Sequence, residues 1–201
     1  TVTPAATTTT LANTVAASYG QPVTFTATVT SPSLAGPPTA GVVTFRDTFG
    51  GVTTILGTVN LTGSNIAAFT TSATQLLPGT HTITAFFSNT GNTNYANSAV
   101  SVAKSQVINK ATTQTVLSTL TPTTYGNAVT FTATVNATSG GTPGNPASGT
   151  VTFRRTFAGV TTVLATVTLG GTNIAQFTTT NTQLVPGNHV ITATYNGITT
   201  H

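Results

Sequence analysis

The sequence predicts an all-β chain of two tandem antiparallel sandwiches, the second lacking its closing strand, and three observations predict it. The chain repeats itself. YGQPVTFTATV at residues 19–29 returns as YGNAVTFTATV at residues 125–135, and QLLPGTHTITA at 75–85 returns as QLVPGNHVITA at 183–193. The copies are offset by about 106 and about 108 residues, too long for a solenoid and suited to whole domains, residues 1–109 and 110–201. Apolar residues alternate with threonine at a period of two, and Gly, Pro, Asn and Ser cut the runs short. No segment shows helical periodicity.

Each strand follows from that alternation. In residues 23–29, Val23, Phe25, Ala27 and Val29 form an apolar face and Thr24, Thr26 and Thr28 a hydroxyl face; Val129, Phe131, Ala133 and Val135 repeat the register. Threonine suits the exposed face because its β-branch fits the pleat. Residues 41–47 place Val43 and Phe45 inward, matched by Val151 and Phe153. The next run, residues 53–61, is read with Ile55, Val59 and Leu61 inward, matched by Val163, Val167 and Leu169. Residues 66–71 carry Phe69, and the copy carries Phe177. Then His81, Ile83, Ala85 and Phe87 alternate with threonines, matched by His189, Ile191, Ala193 and Tyr195. A last strand over residues 99–109 passes through Lys110 into the second repeat without a Gly/Ser or Pro-rich linker. That predicts a semi-rigid rod. About seven short strands per ~100 residues is the pattern of an immunoglobulin-like sandwich, with a small closed barrel as the alternative.

Composition bounds the function. Only 3% of residues are charged against a usual quarter, while threonine supplies about a quarter of the chain. Disorder is excluded by 38% hydrophobic residues in regular alternation and a mean hydropathy of +0.22. The net charge of +4 comes from Arg46, Lys104, Lys110, Arg154 and Arg155 against one acid. These form no run or aromatic-interleaved patch, so a nucleic-acid partner is not expected. A surface of hydroxyls with few charges has little repulsion between copies, which favours self-association. No stretch is long and apolar enough for a membrane span, and the first residues do not read as a signal peptide.

The run TYGNAVTFTATV at 124–135, SGTVTFR at 148–154, VTL at 167–169 and LVPGNHVITATY at 184–195 resembles bacterial Ig-like (BIG) domain repeats of secreted and surface-attached proteins. The resemblance covers both units. It implies a stalk, adhesin or filament component outside the cell, with no catalytic residues of its own. It also implies a closing turn and strand. The first unit has NTGNTNYANS at 89–98, with Tyr95 in the expected place; the second reads NGITTH at 196–201.

Little in the chain could carry chemistry, and no catalytic, cofactor or metal site is expected. Asp47 is the only carboxylate side chain, which excludes a carboxylate pair, a calcium cage or a repeated Ser-His-Asp array. It is read as a solvated strand-end charge, since the second repeat has Arg155 there. His81 and His189 recur at one position and are read as structural, each bonded to a loop backbone; Tyr19 and Tyr125 are read as packing residues. Asn60 and Asn136 match the N-glycan acceptor pattern, and glycosylation of the threonine faces is plausible on composition alone. Phe86 falls on an outward face where the second unit has Thr194, and is read as an inter-subunit contact. An adhesin would want exposed aromatics in the loops at 31–40 and 136–148, which have none. A carbohydrate-binding sandwich would want a planar aromatic row, for which Phe49, Phe86 and Phe157 are the only candidates.

The reading is therefore a structural, non-enzymatic extracellular protein, with an adhesin as the alternative. The strand missing from the second unit is supplied either by a following repeat of a longer array or by a neighbouring subunit through strand addition.

Overall fold

A computed structural model describes residues 1–201 except Leu34, Asn92, Thr119 and residues 140–143. Its chain falls into two compact units, Thr1–Asn109 and Lys110–His201. The first holds β1 (Thr8–Leu11), β2 (Ala17–Ser18), β3 (Thr24–Thr30), β4 (Ala40–Phe49), β5 (Val52–Thr62), β6 (Ile66–Thr70), β7 (Gly79–Ser88) and β8 (Lys104–Asn109). One sheet runs β1-β3-β6 and the other β2-β8-β7-β4-β5. All pairings are antiparallel except β2 with β8, which is parallel. This is an immunoglobulin-like sandwich, with Phe25, Val29, Val43, Phe45, Ile83 and Phe87 buried between the sheets.

The second unit holds β9 (Thr113–Leu117), β10 (Thr130–Ala137), β11 (Thr150–Phe157), β12 (Val160–Thr168), β13 (Ile174–Thr178) and β14 (Val190–Tyr195). Its sheets run β13-β10-β9 and β12-β11-β14. Phe131, Val135, Val151 and Phe153 occupy the places of Phe25, Val29, Val43 and Phe45. Among the described residues it has no counterpart of β2 or β8.

Threonine stands in for charge on the outer faces. Hydroxyls pair across strands at Thr24–Thr70 (2.8 Å) and Thr48–Thr53 (2.7 Å), and the second unit repeats both at Thr130–Thr178 and Thr156–Thr161 (2.8 Å each). Such cross-strand pairs contribute roughly 0.2–1 kcal/mol apiece. Inside, Thr71 and Thr179 accept from the Val23 and Val129 amides at 2.9 Å, so buried strand-end donors are satisfied in both units.

One strand-level expectation changes. The period-two reading put Ile55 and Val163 inward, but both are exposed, at 62% and 58%. A β-bulge is the cause. Phe45 faces Gly57 while Arg46 faces Ile55, so Leu56 is an extra residue and turns inward onto the core; Leu164 does the same opposite Phe153 and Arg154. Phe86 is half-buried on the outward face, with the Arg46 guanidinium 4.5 Å above its ring. Phe86→Thr, which installs the residue of the second unit, should lower the first unit's stability by about 0.5–1 kcal/mol. Chemical denaturation of the two proteins side by side would check it; a larger loss would mean that Phe86 has packing partners beyond the guanidinium.

Candidate functional site

Strand alternation carries Asp47 to the same inward face as Val43 and Phe45, and β4 pairs it with Ile83 on β7. There Asp47 is 6% exposed and His81 2% exposed. The expectation of a solvated charge is therefore overturned. Asp47 Oδ2 lies 2.8 Å from His81 Nδ1, and His81 Nε2 lies 2.7 Å from the Leu77 carbonyl oxygen. A carbonyl oxygen only accepts, so Nε2 carries a proton and donates it there. Asp47 and His81 thus form a hydrogen-bonded acid–imidazole pair buried under Phe49, whose ring stacks on the imidazole at 4.3 Å.

Gly79 makes that stack possible. Its φ is +141°, and a Cβ there would stand 2.7 Å from Phe49 Cε2; Gly187, at φ +134°, meets Phe157 at 2.8 Å in the same way. Gly79→Ala should cost about 1–3 kcal/mol by strain and overpacking. The check is the first unit's denaturation midpoint together with the His81 ring signals by NMR, which should move as Phe49 is pushed away.

The second unit keeps the frame and changes the charge. His189 Nε2 lies 2.7 Å from the Val185 carbonyl, and Phe157 sits against the ring at 4.5 Å. Arg155 takes Asp47's place, its Nη1 donating to Gln183 O at 3.0 Å, while Arg155 Nε and His189 Nδ1 have no partner among the described residues. Both histidines thus bond a loop backbone, but only His81 has a counter-ion. His201 lies 3.3 Å through Nε2 from Gly144 O, where the first unit has the Tyr95 hydroxyl donating to Gly36 O at 3.0 Å.

The larger difference lies along one edge. In the first unit β7 is covered by β8, with Gly79, His81 and Ile83 opposite Ile108, Gln106 and Lys104. Beyond Lys104 the cover is irregular, which is why β8 begins later than residue 99. The Ser101 amide donates to Ala85 O (2.8 Å) and Ser101 Oγ accepts from Ala85 N (3.0 Å). Ser98 treats Phe87 likewise, at 3.1 and 2.9 Å. In the second unit β14 is the outer strand of its sheet. Leu117, His189, Ile191, Ala193 and Tyr195 are only partly buried, whereas Leu11, His81, Ile83, Ala85 and Phe87 are buried. Tyr125 is 57% exposed, which corrects its reading as a packing residue, while Tyr19 packs on the core. A groove of 560 Å³ runs between residues 120–125 and 184–191, past Tyr125, Val185, His189 and Ile191.

A family model for a bacterial Ig-like domain (group 3) matches residues 5–108 and 115–201. The chain belongs to the bacterial Ig-like domain family. No curated protein matches it.

Elsewhere the Ig-like units offer little. Phe49 and Phe157 each face the histidine of their own unit, and Phe86 lies under Arg46. Asn60 is exposed on β5, whereas Asn136 Oδ1 accepts from Asn145 and Asn173, each at 3.4 Å. In the loops at 31–40 and 136–148, Leu34 and residues 140–143 lie outside the described residues. Among the described residues no cluster of three or more His, Cys, Asp or Glu could hold a metal, and no helix is long and apolar enough to cross a membrane. Partial burial raises the Tyr195 phenol above its ordinary value, favouring the neutral hydroxyl that donates to Ser148 O at 2.9 Å.

Proposed function

We propose that this chain is a structural, non-enzymatic module of an extracellular or surface-attached bacterial stalk or filament. In this reading the Ig-like units provide length, and the bare edge of β14 receives a strand from a following repeat or a neighbouring subunit. The observation that carries it is the matched loss of burial along β14. The partly exposed positions are those that β8 and its preceding segment bury in the first unit. Sheet edges left bare invite strand addition. Family membership supports the modular, repeat-based role. A single carboxylate side chain, already used in an internal ion pair, supports the non-enzymatic one. An adhesin reading finds no support in the loops at 31–40 and 136–148, which contain no aromatic residue.

The test is hydrogen exchange on native material from the source, with the denatured mass of its polypeptide measured alongside. Slow exchange at His189, Ile191, Ala193 and Tyr195 is the expected result. A mass well above 20.2 kDa would then assign the strand to the same polypeptide, and a mass near it to a neighbouring copy. Rapid exchange at those four amides in native material would overturn the reading.

A further inference from the structure

Asn196-Gly197 is the only Asn-Gly step in the sequence, and it stands immediately beyond β14. Glycine after asparagine leaves the next main-chain N–H unshielded, because no Cβ stands beside it. Gly197 has φ +75°, and among the described residues its N–H makes no hydrogen bond. Asn196 is exposed. An unshielded amide nitrogen directly after an exposed carboxamide is the arrangement from which a five-membered succinimide ring forms. Other asparagines lack it. The nitrogens that follow Asn65, Asn97, Asn136 and Asn173 all donate hydrogen bonds, to Ser64 Oγ, Phe87 O, Asn145 Oδ1 and Thr172 Oγ1. At the matching place in the first unit Ser88 precedes Asn89, and Asn89 N donates to Asn97 Oδ1 at 2.8 Å. Neither half of the reaction is available there.

The Asn196 carboxamide is held back from its neighbour. Its Nδ2 donates to Thr150 Oγ1 at 2.7 Å and to Thr152 Oγ1 at 3.0 Å, while its main-chain N donates to Thr150 O at 2.9 Å. Thr152 stands opposite Thr194, so the second of these bonds draws the carboxamide back along β14, away from Gly197. Ring closure needs the opposite swing, with Cγ brought over Gly197 N, and both side-chain bonds must break first. We infer that Asn196 is a site of spontaneous amide loss, and that Thr150 and Thr152 are positioning residues that set its rate. Gly197 N gives up its proton to water and bonds to Asn196 Cγ. The Cγ–Nδ2 bond breaks, and that nitrogen takes up a proton and leaves as ammonia. Water then opens the ring at either carbonyl, giving aspartate or isoaspartate at position 196. Water is the only co-reactant. The aspartate carboxylate only accepts, and both threonine hydroxyls can turn to donate to it. It becomes the only exposed carboxylate side chain in a chain of net charge +4, since Asp47 is buried. The isoaspartyl form instead adds a methylene to the main chain and moves the residue's N–H off Thr150 O.

The test incubates the intact 201-residue chain at physiological temperature, at neutral and at mildly alkaline pH. Peptide mapping by mass spectrometry reads the exchange of NH2 for OH at each asparagine. Position 196 should change first, and faster at the higher pH. Thr150→Val combined with Thr152→Val should speed the loss roughly tenfold, the combined worth of two hydrogen bonds. Thr150→Val alone should speed it less, and decides the question where the double variant is unfolded. Asn196→Gln should show no loss at that position. In urea the wild type and the threonine variants should lose the amide at one rate, because the clamp exists only in the folded unit. Faster loss at any other asparagine of the folded chain would overturn the site. Equal rates for wild type and threonine variants under native conditions, or a gap that persists in urea, would overturn the clamp.

Discussion

Asp47→Ala is expected to lower the stability of the first unit by about 3–5 kcal/mol, the usual consequence of leaving one half of a buried ion pair behind. Both carboxylate and imidazole lie almost entirely out of water, and the Leu77 carbonyl and Phe49 ring fix the imidazole from two other sides. Without Asp47, His81 Nδ1 is left buried without its hydrogen-bond partner. No other side chain can take the carboxyl's place, because the sequence holds no second Asp or Glu. Urea denaturation with the two units followed by separate amide signals would show the loss in the first unit alone. Arg155→Ala at the matching place should change the second unit by less than about 1 kcal/mol. Its guanidinium makes one backbone hydrogen bond and has an unsatisfied Nε to lose. Replacing Asp47 and His81 together by apolar residues of similar volume should recover most of the loss, since buried pairs rarely outperform good packing. A cost below about 1 kcal/mol for Asp47→Ala would mean that water reaches the site and screens it.

How the pair was missed shows what the sequence makes legible. Alternation was enough to place Phe25, Phe45, Phe87 and their copies in two cores, because each strand buries one face and a slip of one residue would expose every apolar side chain. The same alternation puts Asp47 in phase with Phe45 and His81 in phase with Ile83. Both therefore point inward, and that was the available signal. The absence of an acid at the matching place in the second repeat, where Arg155 stands, points the other way. Residue 47 meets residue 81 only through the β4–β7 register, which no local pattern contains. The bulge at Phe45 and Arg46 is equally silent. One extra residue reverses the phase of β5 and exchanges Ile55 for Leu56, although both are apolar and fit either face. The open edge, by contrast, was visible as a difference between repeats. What the sequence does not reveal is the serine-stepped segment that covers β7 in the first unit. Three-residue spacing looks like loss of pattern until the hydroxyls are seen accepting from β7.

The second large effect is expected from Phe153→Ala. Phe153 is fully buried at the centre of β11, its ring 6.2 Å from Phe177, which in turn stacks on Phe131 at 6.4 Å. Deleting a buried phenyl ring typically costs about 3–5 kcal/mol, from lost transfer energy plus the residual cavity. Phe45→Ala in the first unit removes the matching ring, which lies 5.9 Å from Phe69 and has the same burial, so the direct loss should be similar. The consequences should differ. Domain stabilities of about 5–15 kcal/mol leave room for such a loss only when the rest of the core is fully covered. In the second unit Ile191, Ala193 and Tyr195 are only partly buried, and among the described residues the outer backbone groups of β14 have no strand to bond. Phe153→Ala should therefore unfold the second unit at temperatures where Phe45→Ala still leaves the first unit folded. Amide exchange at Val135 and Val151 should rise to unfolded rates, while that at Val29 and Val43 stays slow. Seating a strand on β14 should narrow the gap, because the same side chains would then be buried as they are under β8. If both variants melt together without an added strand, the exposed edge does not weaken its unit, and the burial lost along β14 is recovered within the unit itself.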